Sequence, residues 1–265
     1  PYDKSLAAGS LDPQRGAGDD MVRAAQYYRD AVKLDPAFVR AWSDLYAELA
    51  LWPIYVPDRG AEAREEQEAI RARLRGLAPA SPFTAMIEAN ALVETRRWAE
   101  AEPALAAAIA AGAVFRDDSM GVETFFLLNT ARLRDAIPRI EQQLEANPLS
   151  LNVSYGWQII LTVTGRDEEA DVEYVRSQSL TGEHGLVDLL ALWRLVVPRT
   201  ADRAALREQL ELVTRSGIYP LPTLAEELGD QLEDPAAALT TLRRLYADPT
   251  MQTASAMLWL AGFAD

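Results

Sequence analysis

The sequence predicts an all-α fold, a right-handed solenoid of about six to seven antiparallel helix pairs running through residues 1–265 as a single domain. Three observations lead there. One pattern recurs with steps of four, three and five residues: Ala24, Tyr28, Ala31 and Pro36, then Ala136, Ile140, Gln143 and Pro148, then Ala170, Tyr174, Ser177 and Gly182. Ala136 and Ala170 are 34 residues apart, and the same period continues to Ala204 and Ala238, with Glu208 weakening the Ala204 copy. No segment has the pattern of a sheet, and the short gaps between helical segments make successive helices antiparallel neighbours.

Steps of three and four place the repeated residues on one stripe of a helix, where alanines admit a neighbouring helix and one larger side chain fills the gap between axes. Helices are expected over 19–34, 38–52, 61–77, 83–95, 98–111, 119–133 and 135–146, continuing over 150–164, 168–180, 185–197, 202–216, 223–232, 235–247 and 251–263. Asp19, Asp117, Asp167 and Asp234 fall where helices begin, a place for a short acceptor and a negative charge, and Thr223 with Glu226 has capping-box spacing. Pro36, Pro148 and Gly182 end their helices. Upstream, Ala101, Leu105 and Ala108 sit one residue out of phase, and Gln67, Arg71, Leu74 and Pro79 form a degenerate copy. Repeats degenerate again towards the C-terminus. Between Pro36 and Pro79 the chain is about nine residues too long for one repeat, and the surplus is placed in an inserted loop at 53–60 containing Ile54, Tyr55 and Val56. That loop is either a binding element at a groove edge or a flap over the ends of its own helices.

Composition excludes several chemistries. The 265 residues contain no cysteine, which rules out disulfides and thiol catalysis, and one histidine, His184, which rules out two-His metal sites. A serine triad with a histidine base would need His184, which lies in an expected loop. Forty acidic against 26 basic residues give a net charge of −14, which opposes binding to nucleic acid or anionic membranes. The longest uncharged run, 146–165, is interrupted by Pro148 and by amide and hydroxyl side chains, so no membrane insertion is expected. No glycine-rich phosphate loop is present, and no cofactor is expected. The start at Pro1 reads as a processed product or a piece of something longer, and the lack of cysteine fits cytoplasm or periplasm.

The segment from Ala24 to Pro36, followed by Ala41-Trp42-Ser43-Asp44-Leu45, resembles the tetratricopeptide repeat (TPR) family, running from a second helix through the turn into the next first helix. Gly165, five residues before Ala170, also fits that family. The chain is similar, too, to the helical repeats that follow the output domain in bacterial winged-helix transcription regulators and class III adenylate cyclases. The resemblance implies a concave face lined by the first helix of each pair. On it would lie Arg40, Ser43 and Ala47, then Phe83, Met86 and Asn90, then Phe125 and Asn129, then Asn152, Tyr155 and Ile159. Members that clamp a peptide carboxylate use lysines and asparagines there; Met86 and Tyr155 stand where a lysine would be needed, and Asn90 alone matches. Apolar anchors and amides in such a groove suit an extended peptide or a helix.

Other clusters have structural readings beside functional ones. Asp117-Asp118, Asp167-Glu168-Glu169 and Glu226-Glu227 are paired carboxylates or helix-start charges; an all-helical hydrolase would need two of them facing one pocket about 5–10 Å apart. Arg71, Arg73 and Arg75 read as a salt-bridged face with Glu65, Glu66 and Glu68. Trp42, Tyr46, Trp52, Trp157 and Trp193 read as core before ligand box. The last helix carries Met257, Leu258, Trp259 and Phe263, either a homodimer or partner contact or a face packed on the preceding pair. The expected function is a non-catalytic scaffold binding a protein or peptide, as the regulatory part of a bacterial signalling or transcription protein. The alternative is a small-molecule sensor.

Overall fold

The computed structural model describes residues 2–9, 17–113 and 121–181, with isolated positions from 208 to 244. Among the described residues every regular element is helical. The chain divides into two compact units, Pro1–Gly156 and Trp157–Asp265. The first contains α1 (Tyr2–Gly9), α2 (Ala17–Leu34), α3 (Val39–Ala50), α4 (Trp52–Tyr55), a 3-10 turn (Pro57–Arg59), α5 (Gly60–Leu77), α6 (Pro82–Glu94), α7 (Trp98–Ala110), α8 (Val122–Asn129) and α9 (Leu133–Ala146). The unit boundary falls within α10 (Leu151–Val163), and α11 (Asp167–Thr181) follows. The helices expected beyond 181 lie outside the described residues, apart from a cap in which Asp234 Oδ1 accepts from the Ala237 N–H at 3.1 Å.

Within the first unit, α2 packs on α3, α3 on α5 and α6, α6 on α7 and α8, and α8 on α9. The alanine stripe explains how they approach. Ala24, Ala31, Ala101, Ala108 and Ala136 are all buried, and Tyr28, Leu105 and Ile140 fill the space beside them. Met21, Leu45, Tyr46, Leu49, Trp52, Ile70, Leu74 and Ile87 complete one continuous core across α2 to α6.

Two kinds of turn alternate. Pro36, Pro79 and Pro148 each follow a helix-ending residue whose N–H reaches four residues back, Asp35 to Ala31, Ala78 to Leu74 and Asn147 to Gln143. Each then sits inside a turn closed over three residues, by Phe38 to Asp35, Ser81 to Ala78 and Ser150 to Asn147. Proline suits this place because its fixed φ matches the turn and its missing N–H is not wanted.

The other turn joins the two helices of a pair and was legible only at Gly165. Thr95, Thr130 and Thr164 cap their helices, each hydroxyl donating to the carbonyl four residues back at 2.7 to 2.9 Å. The next residue, Arg96, Ala131 or Gly165, has φ of 57°, 56° or 71°. The residue after that, Arg97, Arg132 or Arg166, donates its N–H back to Leu92, Leu127 or Leu161 at 2.9 Å, closing a Schellman motif. Its guanidinium then pairs with Glu100, Asp135 or Glu169 in the first turn of the following helix. Ala131→Gly is expected to stabilise the chain by about 1 kcal/mol, because glycine enters the left-handed region without a Cβ clash; an unchanged or lower denaturation midpoint would contradict this.

The structure departs from expectation at three places. The helix α1 was not anticipated, because eight residues show too little periodicity; Lys4 holds it to α2 by pairing with Asp30 at 3.8 Å and lying 5.2 Å from the Tyr27 ring centre. The helix expected over 119–133 is replaced by the shorter α8, because the turn at Thr130-Ala131-Arg132 ends it. The expected loop at 53–60 folds as α4, the 3-10 turn and the start of α5, with Val56 packed on the core. Trp52 anchors this segment, fully buried, with the guanidiniums of Arg29 and Arg59 at 5.3 and 4.4 Å from its ring. Each arginine is fixed in turn by a fork of two bonds, Arg29 to Glu66 and Arg59 to Glu62.

Candidate functional site

The surface formed by α3 and α6 carries several of the residues expected to line a groove. Helix α6 starts with Ser81 accepting from the Phe83 N–H at 3.3 Å and Pro82 in the first turn, while the Thr84 hydroxyl donates to the Ala78 carbonyl at 2.8 Å. This fixes the direction in which Phe83, Met86, Asn90 and Glu94 project along one stripe, at steps of three and four. Arg40 of α3 lies over the Phe83 ring at 5.4 Å and donates to both carboxylate oxygens of Asp44 at 2.9 and 3.0 Å. Arg40 and Phe83 therefore meet across the two helices. Ser43 and Met86 do not reach solvent, at 3% and 4% exposure, and act as packing beneath it.

Asn90 is held beside a residue that the sequence reading missed. Its Nδ2 donates to Glu94 Oε1 at 2.6 Å, and the Tyr46 hydroxyl donates to Glu94 Oε2 over a longer 3.4 Å. Tyr46 is itself buried, and its carbonyl accepts from Gln67 Nε2 at 3.3 Å. Glu94 reaches solvent, yet enough protein surrounds it for burial to push its carboxyl up; the bonds from Asn90 and Tyr46 and the charge of Arg71 oppose that shift, and Glu68 adds to it. Burial, together with the Glu94 charge, likewise pushes the Tyr46 phenol up. The available signal was the four-residue step from Asn90 to Glu94 on one helix face.

The raised carboxyl has a consequence for pH. The folded chain holds the Glu94 proton more tightly than the unfolded chain, so its contribution is complete below the ordinary carboxylate range and is lost as pH rises through the raised value. Glu94→Gln is expected to gain stability relative to the parent at neutral pH and to lose that advantage in acid. Denaturant titrations at several pH values would show it, and a difference independent of pH would refute it. The groups facing Glu94 from neighbouring elements are Tyr46 on α3 and Arg71 and Glu68 on α5.

Other expected site residues are placed separately. Phe125 on α8 is half-buried, and Asn129 is exposed, donating to the Phe125 carbonyl at 2.8 Å. Tyr155 is half-buried, and the Asn152 side chain lies outside the described residues. So do His184, Trp193, Asp117-Asp118, Glu226-Glu227 and the terminal group Met257, Leu258, Trp259 and Phe263.

The arginine row on α5 is salt-bridged, but chiefly across helices. Arg71 and Arg75 converge on Glu88 of α6 at 3.0 and 2.8 Å, and Arg71 also binds Glu68. Burial works to raise the Glu88 carboxyl, but the two arginines outweigh it and hold it below the usual range. Arg73 donates to the Pro36 carbonyl at 3.3 Å and lies against Trp42. Tyr46 and Trp52 are core, while Trp157 is half-buried with Arg166 at 5.0 Å from its ring centre. Among the described residues no three carboxylate or imidazole groups converge to hold a metal ion, and no helix is long and apolar enough to cross a membrane.

No protein-family model matches this chain, and no curated protein matches it.

Proposed function

We propose that the chain is a non-catalytic scaffold of the tetratricopeptide type, a solenoid whose concave face binds a protein or peptide. The reading rests most on one observation: α3 and α6 pack side by side, Arg40 of α3 lies over the Phe83 ring of α6, and the buried Asn90 holds the exposed Glu94 farther along the same face of α6. An aromatic ring beside fixed polar groups is the chemistry that holds a peptide side chain and its backbone. The recurrence of the proline turn and of the Thr-x-Arg turn supports a helical repeat, since each pair needs the next to cover its apolar stripe. By resemblance, its place is the regulatory part of a bacterial signalling or transcription protein.

Native mass spectrometry of the chain taken gently from its own cells tests this. A bound polypeptide that is lost in Phe83→Glu and Asn90→Lys supports the groove. A polypeptide retained by both variants, or a small bound mass in its place, overturns it, the latter in favour of a metabolite sensor.

A further inference from the structure

We propose that Tyr46, Asn90 and Glu94 form a seat for a lysine or arginine side chain of an extended peptide, an inference that rests on the groove reading above and names the chemistry of its partner. Glu94 is aimed before any ligand arrives. Asn90 Nδ2 holds one carboxylate oxygen at 2.6 Å and the Tyr46 hydroxyl the other at 3.4 Å, and each oxygen keeps a further lone pair for a donor from solvent. Both holding groups are neutral. No arginine or lysine among the described residues pairs with Glu94, and Arg71, whose charge it feels, is already bound by Glu68 and Glu88.

By contrast, Glu62, Glu66, Glu88, Glu100 and Glu169 each have an arginine partner. Glu94 thus has a fixed orientation, access to solvent, protein around it and, among the described residues, no direct ion-pair partner. A cationic group gains a charge-assisted bond there, whereas an anionic ligand is repelled. The net charge of −14 draws a cation in the same direction.

The spacing selects a peptide over a free amine. Phe83 and Glu94 stand eleven residues apart on α6, roughly 16 Å along a helix axis. An extended chain covers that distance in about five residues. One ligand can therefore place an apolar side chain on Phe83 and a cationic one on Glu94 only if it is a polymer of this length.

The test uses the intact chain and a fluorescent alanine-glycine peptide with one leucine and one lysine about five residues apart, read by anisotropy, beside the same peptide with glutamate for lysine. The lysine peptide is expected to bind about tenfold tighter than its glutamate counterpart, with Glu94→Gln erasing that preference. Glu145→Gln, which removes an exposed charge on α9, is expected to leave it intact. The seat is overturned if Glu94→Gln binds the lysine peptide as the parent does, if Glu145→Gln weakens it equally, or if lysine amide competes as strongly as the peptide. If Phe83→Glu weakens binding and Glu94→Gln does not, the seat fails and the groove stands. If neither change matters, both fail.

Discussion

Trp52→Ala is expected to lower the unfolding free energy of the first unit by about 3–5 kcal/mol, the range for removing a large buried aromatic from a close-packed core. Trp52 is fully buried against residues of α2, α3 and α5, and it is where the 52–60 segment is fastened to them. Its loss would leave a cavity and would also take the aromatic face from Arg29 and Arg59, two guanidiniums otherwise fixed by Glu66 and Glu62. Trp52→Phe separates these effects. It keeps most of the volume and removes an indole N–H that has no hydrogen-bond partner, so its cost should be well below that of alanine. Denaturant unfolding of the three proteins measures this. A loss under about 1 kcal/mol for Trp52→Ala would mean that the segment is not held as described.

Ala136→Leu is expected to cost about 1–3 kcal/mol, although leucine is an excellent helix former. Ala136 is fully buried in the first turn of α9, which packs on α8, and three extra carbons there must push those helices apart or force a poor rotamer. The paired control is Ala146→Leu near the exposed end of the same helix, where no such loss is expected. Equal stability of the two variants would show that helix spacing is not set by the small residue.

Much of the helical layout was legible because two kinds of punctuation are written locally. Pro36, Pro79 and Pro148 mark turns after helix ends, where a fixed φ and a missing donor fit, whereas Pro103 and Pro138 lie inside α7 and α9. The alanine stripe was also readable, because small residues at steps of three and four have meaning only on a helix face. The Thr130-Ala131-Arg132 turn was not read, as alanine carries no mark of a positive φ; the three copies share a threonine and an arginine around a middle position that is arginine, alanine or glycine. The 53–60 segment was read as a loop because the surplus over one repeat was placed at its prolines; Trp52 was read as core, but its contacts with Arg29, Arg59 and Val56, which fold the segment onto that core, are tertiary.

At the site, Arg40, Phe83 and Asn90 could be named in advance because the resemblance to tetratricopeptide repeats implies which positions line a concave face. Glu94 was not named, since its four-residue step from Asn90 is one of many such spacings in an acidic chain. What distinguishes it is Tyr46, 48 residues earlier, reaching it from another helix. The sequence by itself determined that this protein is helical, where most of the described helices start and stop, and which face of each is narrow. Only the tertiary structure decided which polar groups on those faces meet, because hydrogen bonds and burial between helices depend on distances that no local spacing encodes.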